Sequence, residues 1–535
     1  MTLSPCIARR PLRAWTAAAL LAAALTGMAS HAAPALPSTQ VAWLAAATDD
    51  DIERALAQAR AQKKPLLLYW GATWCPPCNQ LKATLFNRQD FAAQSRSFVA
   101  VHVDGDRPGA QKLGSRFKVR GYPTLVLLQA DGQEITRLPG EADAAQVMAL
   151  LQAGLSGGRP AQEVLAAARA GRALRRAEWR MLAFHAWDQD DPPLVPAAQR
   201  PAVLADLWAR SGAADAETRM RLLVKASAAG VGAADGLRPD RAQREQLLAM
   251  LSDPAAARAQ MDVLASQAPG LARVLGGDGA PLAAPVDAAL ERLQADTALS
   301  RADRAAALIA RVALARLGQP ADTAKPQLPE PLLRDVRAAV LRLDHDTRDP
   351  HERQAVIPTL AYLQAQAGLW ADSDALLQAN LARSHSPYYL MSQLGSNARR
   401  QGRSDEALQW YAKAFDRSEG PATRLQWGAG YLSALVDLSP GDARRIEQVA
   451  AQLFSEAARD PAAFHERSAR SLQRAGQKLA GWASARSEAG DTLRRLDRQL
   501  QAVCAARSAA DGQRAACDAL AKLLAPAPAP AAARG

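Results

Sequence analysis

The stretch Lys64–Cys78, KPLLLYWGATWCPPC, decides the reading of this chain. Its apolar run, Leu66-Leu67-Leu68-Tyr69-Trp70, has the length of a buried strand rather than of a helix. Gly71-Ala72-Thr73 ends the run, and Trp74-Cys75-Pro76-Pro77-Cys78 follows. Two cysteines with two residues between them can close a small disulfide ring or open another disulfide. A strand that feeds straight into such a pair predicts thiol–disulfide redox chemistry. The competing reading is half of a zinc site, which needs two further ligands. Cys504 and Cys517 are remote and wrongly spaced for that role. The 7 histidines are scattered, and His345 and His351 flank acidic loop sequence without ligand periodicity. The redox reading is therefore preferred, with no metal and no cofactor beyond the Cys75/Cys78 pair itself.

On the N-terminal side, Asp49-Asp50-Asp51 sets acids at the positive end of a helix dipole. Ile52, Ala55, Leu56 and Ala59 continue at helical spacing until Lys63-Lys64-Pro65 closes the element. Beyond Cys78, Leu81 and Leu85 mark a helix face, and Phe91 belongs to a short further turn. Phe98–Val103 reads as a second strand ending at Asp104-Gly105-Asp106. Leu113 and Phe117 predict a helix closed by Arg120-Gly121. Thr124–Leu128 is a third strand, and Asp131-Gly132 turns it into Glu134–Leu138 as a hairpin. Ala144, Val147, Met148 and Leu151 form a last amphipathic face. The order is α-β-α-β-α-β-β-α.

Across residues 49–155 this segment resembles thioredoxin. The residues that carry the likeness are Trp74-Cys75-Pro76-Pro77-Cys78, Gly121-Tyr122-Pro123-Thr124 and Gly140. Thr84-Leu85-Phe86-Asn87 through Phe98–Asp104 is similar to exported thioredoxin-like domains, among them the terminal domain of the bacterial transmembrane thiol:disulfide interchange reductase. The resemblance implies a cis bond at Pro123 beside the cysteines, with Tyr122 and Pro123 touching substrate. Cys75 is expected at a helix start, where unpaired N–H groups and the dipole favour a thiolate. It is the attacking cysteine, and Cys78, one turn inside, resolves the mixed disulfide. Pro76 and Pro77 bring no backbone donors and restrict the turn, and Trp74 packs at the rim. Three positions depart from the family. Leu68 is matched to a strand position that commonly carries a buried acid. No lysine stands in Val101–Asp104, and Ala83 replaces a helix proline. These departures favour a specialised donor or acceptor over a general reductase. His102 reads as a packed or edge histidine.

With 535 residues the chain has room for three or four domains at roughly 150 residues each. Hydrophobic residues make up 49%, many of them alanine, and aromatics only 5%, which favours helix. The net charge of +12 is dispersed among acids, so it predicts solvated helix faces and gives no patch for nucleic acid. Residues 1–32 read as a signal peptide: Arg9, Arg10 and Arg13 precede the apolar run Ala17–Leu25, and Ser30-His31-Ala32 offers small residues for cleavage. That leader holds three arginines and no acid, so the remainder carries +9. The apolar run is short for a membrane span, which needs about 20 residues. Export to a bacterial periplasm is expected. Cys6 falls in the leader, leaving four cysteines in a compartment that permits disulfides.

Residues 33–48 read as a linker, and Ser156–Pro160 as another. From there helical patterns succeed one another: Val164–Arg176, Trp179–Trp187, Pro201–Ser211, Glu217–Ala228, Arg241–Leu251, Ala256–Gln267, Val286–Leu293, Arg301–Leu317 and Pro331–Leu343. Residues 160–354 are thus an α-helical domain. A period of 34 relates Gly368 to Gly402 and Pro387 to Pro421, with Leu394-Gly395, Ala398, Ala407, Tyr411 and Ala414 in the better copy. Residues 355–461 resemble tetratricopeptide repeats on these positions. Residues 462–525 are expected as a helical hairpin stapled by Cys504–Cys517, a structural disulfide rather than a second redox pair. Pro526–Pro530 begins a disordered tail, 526–535.

The expected architecture is multidomain: an N-terminal α/β thioredoxin fold and a C-terminal all-α, solenoid-like region. The expected function is an exported thiol–disulfide oxidoreductase acting on protein thiols or disulfides, with a membrane redox partner supplying or taking electrons and the helices as a partner-binding surface. The alternative is a non-catalytic periplasmic assembly factor with an accessory thioredoxin domain.

Overall fold

Alternation along one strand explains both faces of the sheet in the computed structural model, which describes residues 40–525 apart from 139–143, 156–158, 186, 188–193, 487–488 and 511. The strand is β2 (Leu66–Gly71), flanked by β1 (Leu44–Ala46), β3 (Val99–Asp104), β4 (Thr124–Leu128) and β5 (Glu134–Leu138) in the order β1-β3-β2-β4-β5. β1 and β2 run parallel to β3, whereas β4 is antiparallel to β2 and to β5. Successive side chains of a strand point to opposite faces. Leu66, Leu68 and Trp70 therefore pack with α1 (Asp49–Gln62) on one face, joined by Ala110, Leu113 and Phe117 further along the chain. Leu67 and Tyr69 face the other way, into a core with Leu81 and Leu85.

Thr48 starts α1 through a capping box with Asp51, which satisfies the first orphan N–H groups. After β2, α2 (Pro76–Leu81) runs directly into a π-turn, Lys82–Phe86. Then come α3 (Gln89–Gln94), α4 (Ala110–Phe117) and α5 (Ala144–Leu155). Phe91, expected in a turn, is buried on the helix α3. The segment read as a linker, 33–48, supplies β1, whose Leu44–Ala46 pair with Val101–Val103. Three residues with no alternating pattern carry no strand signal; the exposed edge of β3 makes this strand.

Among the described residues no strand follows β5. The core beneath Leu67 and Tyr69 continues without a break into Val164, Trp179, Leu182, Phe184 and Leu207 of the first following helices. The expected Val164–Arg176 is the helix Ala161–Arg169, and Trp179–Trp187 begins earlier, as Arg176–Phe184. The expected single helix Ala256–Gln267 is broken at Gln260: Asp253 caps Pro254–Ala259, and Met261–Gly276 then runs on through Pro269. The 34-residue offset places Gly368 and Gly402, both at positive φ, in equivalent turns between paired helices, and Pro387 and Pro421 at equivalent helix starts. Residues 462–525 hold three helices, Glu466–Ser484, Gly490–Ala505 and Gln513–Leu524, rather than a two-helix hairpin. Cys504 and Cys517 are bonded across the last two. The leader, Gly140, Ser156–Gly158 and the tail lie outside the described residues. No helix among the described residues is long and apolar enough to cross a membrane. From Thr39 onward the chain groups into a single unit.

Candidate active site

Cys75 sits where β2 has ended and α2 begins. It is the N-cap of α2, in extended conformation, with Pro76 and Pro77 at the first two helical positions. Proline is pre-set for the first helical turn and has no N–H to leave unsatisfied. The first free donor is thus the N–H of Cys78, which points at Cys75 Sγ at 3.2 Å. The two sulfurs are bonded to each other. Any negative charge that forms on Cys75 is met by that N–H and by the positive end of the helix. The Tyr122–Pro123 peptide is cis, and the Tyr122 ring lies 6.2 Å from Trp74. The sequence-predicted residues Trp74, Cys75, Cys78, Tyr122 and Pro123 are thereby set around one helix start. Cys504 and Cys517 belong to a separate apolar cluster with Leu496, Leu500 and Leu520.

Beneath α2 lies Tyr69, not Leu68. Leu68 faces α1 and α4, so the residue matched to the family's buried acid points away from the cysteine helix. The Tyr69 hydroxyl is buried without a hydrogen-bond partner. Burial, reinforced by Asp104, holds its phenol above the ordinary range, fully neutral. Tyr69 stacks on His102 at 4.8 Å. Burial and then Lys82 lower the His102 pKa to about 4, so the ring is neutral at neutral pH. No carboxylate stands at either β2 position.

Several residues of the site carried no signal in the sequence. Asn79 is fully buried on α2 and donates to the carbonyls of Thr73 (2.7 Å) and Cys75 (2.9 Å), fixing the turn from behind. With its amide nitrogen so committed, its Oδ1 accepts from His351 Nδ1 at 2.8 Å. His385 Nε2 donates to the Thr73 carbonyl at 3.1 Å, and Gln354 Nε2 to that of Trp74 at 3.3 Å. Asp106, past the end of β3, accepts from Trp74 Nε1 (3.0 Å), Thr423 N (2.8 Å) and Thr423 Oγ1 (2.7 Å). Burial raises the Asp106 pKa, against the Thr423 hydroxyl and the Arg467 charge, which lower it. Gly420 comes so close that a Cβ there would fall 2.5 Å from that of Asp106, and its φ of +85° already favours glycine.

The helical region therefore lies on the redox pair. Tyr389 stacks on Trp74 at 5.8 Å, and Trp427 meets it edge-on at 6.1 Å. The Arg467 guanidinium rests 4.4 Å over Trp74 and 4.7 Å over Tyr122. Its backbone N–H donates to Gln111, whose own amide holds the Tyr122 hydroxyl at 2.9 Å. Under this layer Cys75 is 2% exposed and Cys78 0%. The signal that could have pointed here is compositional: Tyr388-Tyr389 and Trp427 are large rings in a chain with only 5% aromatic residues. Among the described residues, no three His, Cys, Asp or Glu side chains form a metal-ligating group.

Comparison with known proteins agrees with the fold. Residues 52–155 match the family described as thioredoxin-like domain. The chain is 30% identical over 154 residues to the thiol:disulfide interchange protein DsbD 2 of Pseudomonas aeruginosa, covering 26% of each protein. It is 28% identical over 153 residues to the DsbD of Vibrio vulnificus, again 26% of each. It thus spans about a quarter of the length of these relatives. A solved structure titled DsbH oxidoreductase aligns at 18% identity with a TM-score of 0.20, covering 25% of this chain and 96% of that one. Residues 52–155 are therefore a thioredoxin-like domain with a paired Cys75 and Cys78, followed by a helical region.

Proposed function

We propose that the chain is an exported thiol:disulfide oxidoreductase that exchanges disulfides with proteins through Cys75 and Cys78. The observation that carries this reading is the placement of Cys75 Sγ at the start of α2, facing the Cys78 N–H and within bonding reach of Cys78. In the reducing direction the Cys75 thiolate attacks a partner disulfide, forming a mixed disulfide and releasing one partner thiol. Cys78 then attacks Cys75 Sγ, which releases the second thiol and leaves the Cys75–Cys78 bond. Two electrons pass to the partner, and a dithiol donor must return them; a membrane protein is the natural class of donor. The oxidising direction runs the same bonds in reverse. A reduction potential near about −270 mV sets the pair to reduce, and one near about −120 mV to oxidise. Periplasmic location is supported by the leader-like residues 1–32 and by the likeness to thiol:disulfide interchange proteins. Residues 355–461 are assigned as tetratricopeptide-like helix pairs.

The test is trapping. Cys78→Ser leaves Cys75 unable to resolve, so mixed disulfides linked through Cys75 accumulate and are identified by mass spectrometry. A Cys75→Ser, Cys78→Ser variant accumulates none. If Cys78→Ser captures no partner and the wild type does not reduce insulin disulfides, the chain is instead a non-catalytic assembly factor.

A further inference from the structure

We propose that the helical region is the specificity-determining half of the redox site: Tyr389, Trp427 and Arg467 occupy the ground that a disulfide partner must take, and exchange requires this cover to be displaced. The inference rests on the redox reading above. A partner disulfide has to approach Cys75 Sγ beside Trp74, Tyr122 and Pro123. That face is filled by Tyr389 and Trp427 against Trp74, and by the Arg467 guanidinium over both Trp74 and Tyr122. At 2% exposure, Cys75 presents no surface on which a second sulfur could line up.

The cover is anchored unevenly. Around its edge it is hydrogen-bonded: Thr423 to Asp106, Arg467 N to Gln111, Arg470 to the Arg120 carbonyl and His351 to Asn79. The Trp427 ring, over Trp74, is not. The Trp427 indole N–H has no hydrogen-bond partner. Trp427 also lines an open pocket of about 240 Å³ together with Tyr411, Gln426, Ser433 and Arg474. Trp427 can therefore move off Trp74 without breaking an indole hydrogen bond, and it borders open volume. Local openings of this kind cost least where few bonds are lost. Small reagents would enter after the ring alone moves, whereas a folded protein needs the whole edge released. The cover thus ranks substrates by size and by their ability to compete for the aromatic face of Trp74.

The experiment uses the full chain, reduced with a phosphine, and follows alkylation of each cysteine peptide by mass spectrometry. In the wild type, Cys75 is expected to react with iodoacetamide more than about tenfold slower than in the urea-unfolded chain, and with a polymer-linked maleimide more slowly still. In Tyr389→Ala, Trp427→Ala the Cys75 rate is expected to rise about tenfold, with the larger reagent gaining more, while Cys78 stays slow and circular dichroism confirms a folded protein. Wild-type Cys75 that reacts with the polymer reagent as fast as the unfolded chain overturns the proposal, and this comparison needs no variant. So does an unchanged rate in a folded double variant. If the variant is opened but neither form exchanges disulfides, the cover stands and the redox reading fails.

Discussion

Asp106 concentrates the energetics of the interface in one carboxyl group. It takes three hydrogen bonds, two from Thr423 and one from Trp74. Hydrogen bonds to a buried acceptor of this kind contribute about 1–2 kcal/mol each, and an acceptor left short of donors costs a similar amount. Thr423→Val removes the hydroxyl donor while keeping the branched shape of this fully buried side chain, so urea unfolding is expected to show a loss of about 1–2 kcal/mol. A loss below about 0.3 kcal/mol, within the usual scatter for a surface change, would mean that the bond is solvent-compensated. At this scale the sequence was half legible. Cys75, Cys78 and Pro123 declare themselves through spacing and residue type. Asp106 looked like the punctuation at the end of a strand, because its partner lies 317 residues away. Leu68 and Tyr69 differ by one step in a strand, and one step decides which of them underlies the cysteine helix.

β3 illustrates how an element's surroundings set its response to pH. His102 is pressed between Tyr69 and Trp43, with Lys82, Asp104 and Arg107 around it. Its folded pKa is depressed to about 4 from 6.5, by burial first and Lys82 second, against Asp104. The unfolded chain therefore binds this proton first, so stability is undiminished above pH 6.5 and is lost as pH falls toward 4. The loss amounts to at most about 3 kcal/mol, less to the extent that the ring is solvated. His102→Gln is expected to flatten the stability profile between those pH values, read from urea midpoints; an unchanged slope would assign the acid sensitivity to other groups. Elements with an internal period, such as α1 and β2, were legible from sequence. β1 was not, since pairing with β3 defines it. The break at Gln260 was missed because a helix interrupted between Ala259 and Met261 keeps the apolar spacing on both sides.

For the molecule as a whole, the two disulfides divide the labour. Cys504–Cys517 closes a loop of sequence separation 13 inside the C-terminal helices, a constraint of about 3 kcal/mol on the unfolded chain. Cys504→Ser, Cys517→Ser is expected to lower stability by about that much while leaving the Cys75–Cys78 reduction potential unchanged. A shifted potential would tie the second pair to the first. The α/β and all-α halves were each readable from local pattern. Their union was not: contacts such as Arg467 to Gln111 join segments 356 residues apart, and no periodicity encodes that.

Separation along the chain is also separation in time. Asp106 leaves the ribosome 317 residues ahead of Thr423, which at about 5–20 residues per second is on the order of tens of seconds. During that interval the sheet and α2 can assemble from nearby residues, and Cys75 stands bare before Tyr389, Trp427 and Arg467 exist. The cover over Cys75 is thus the last part of the site to be synthesised, and burial of that sulfur waits on Tyr389, Trp427 and Arg467.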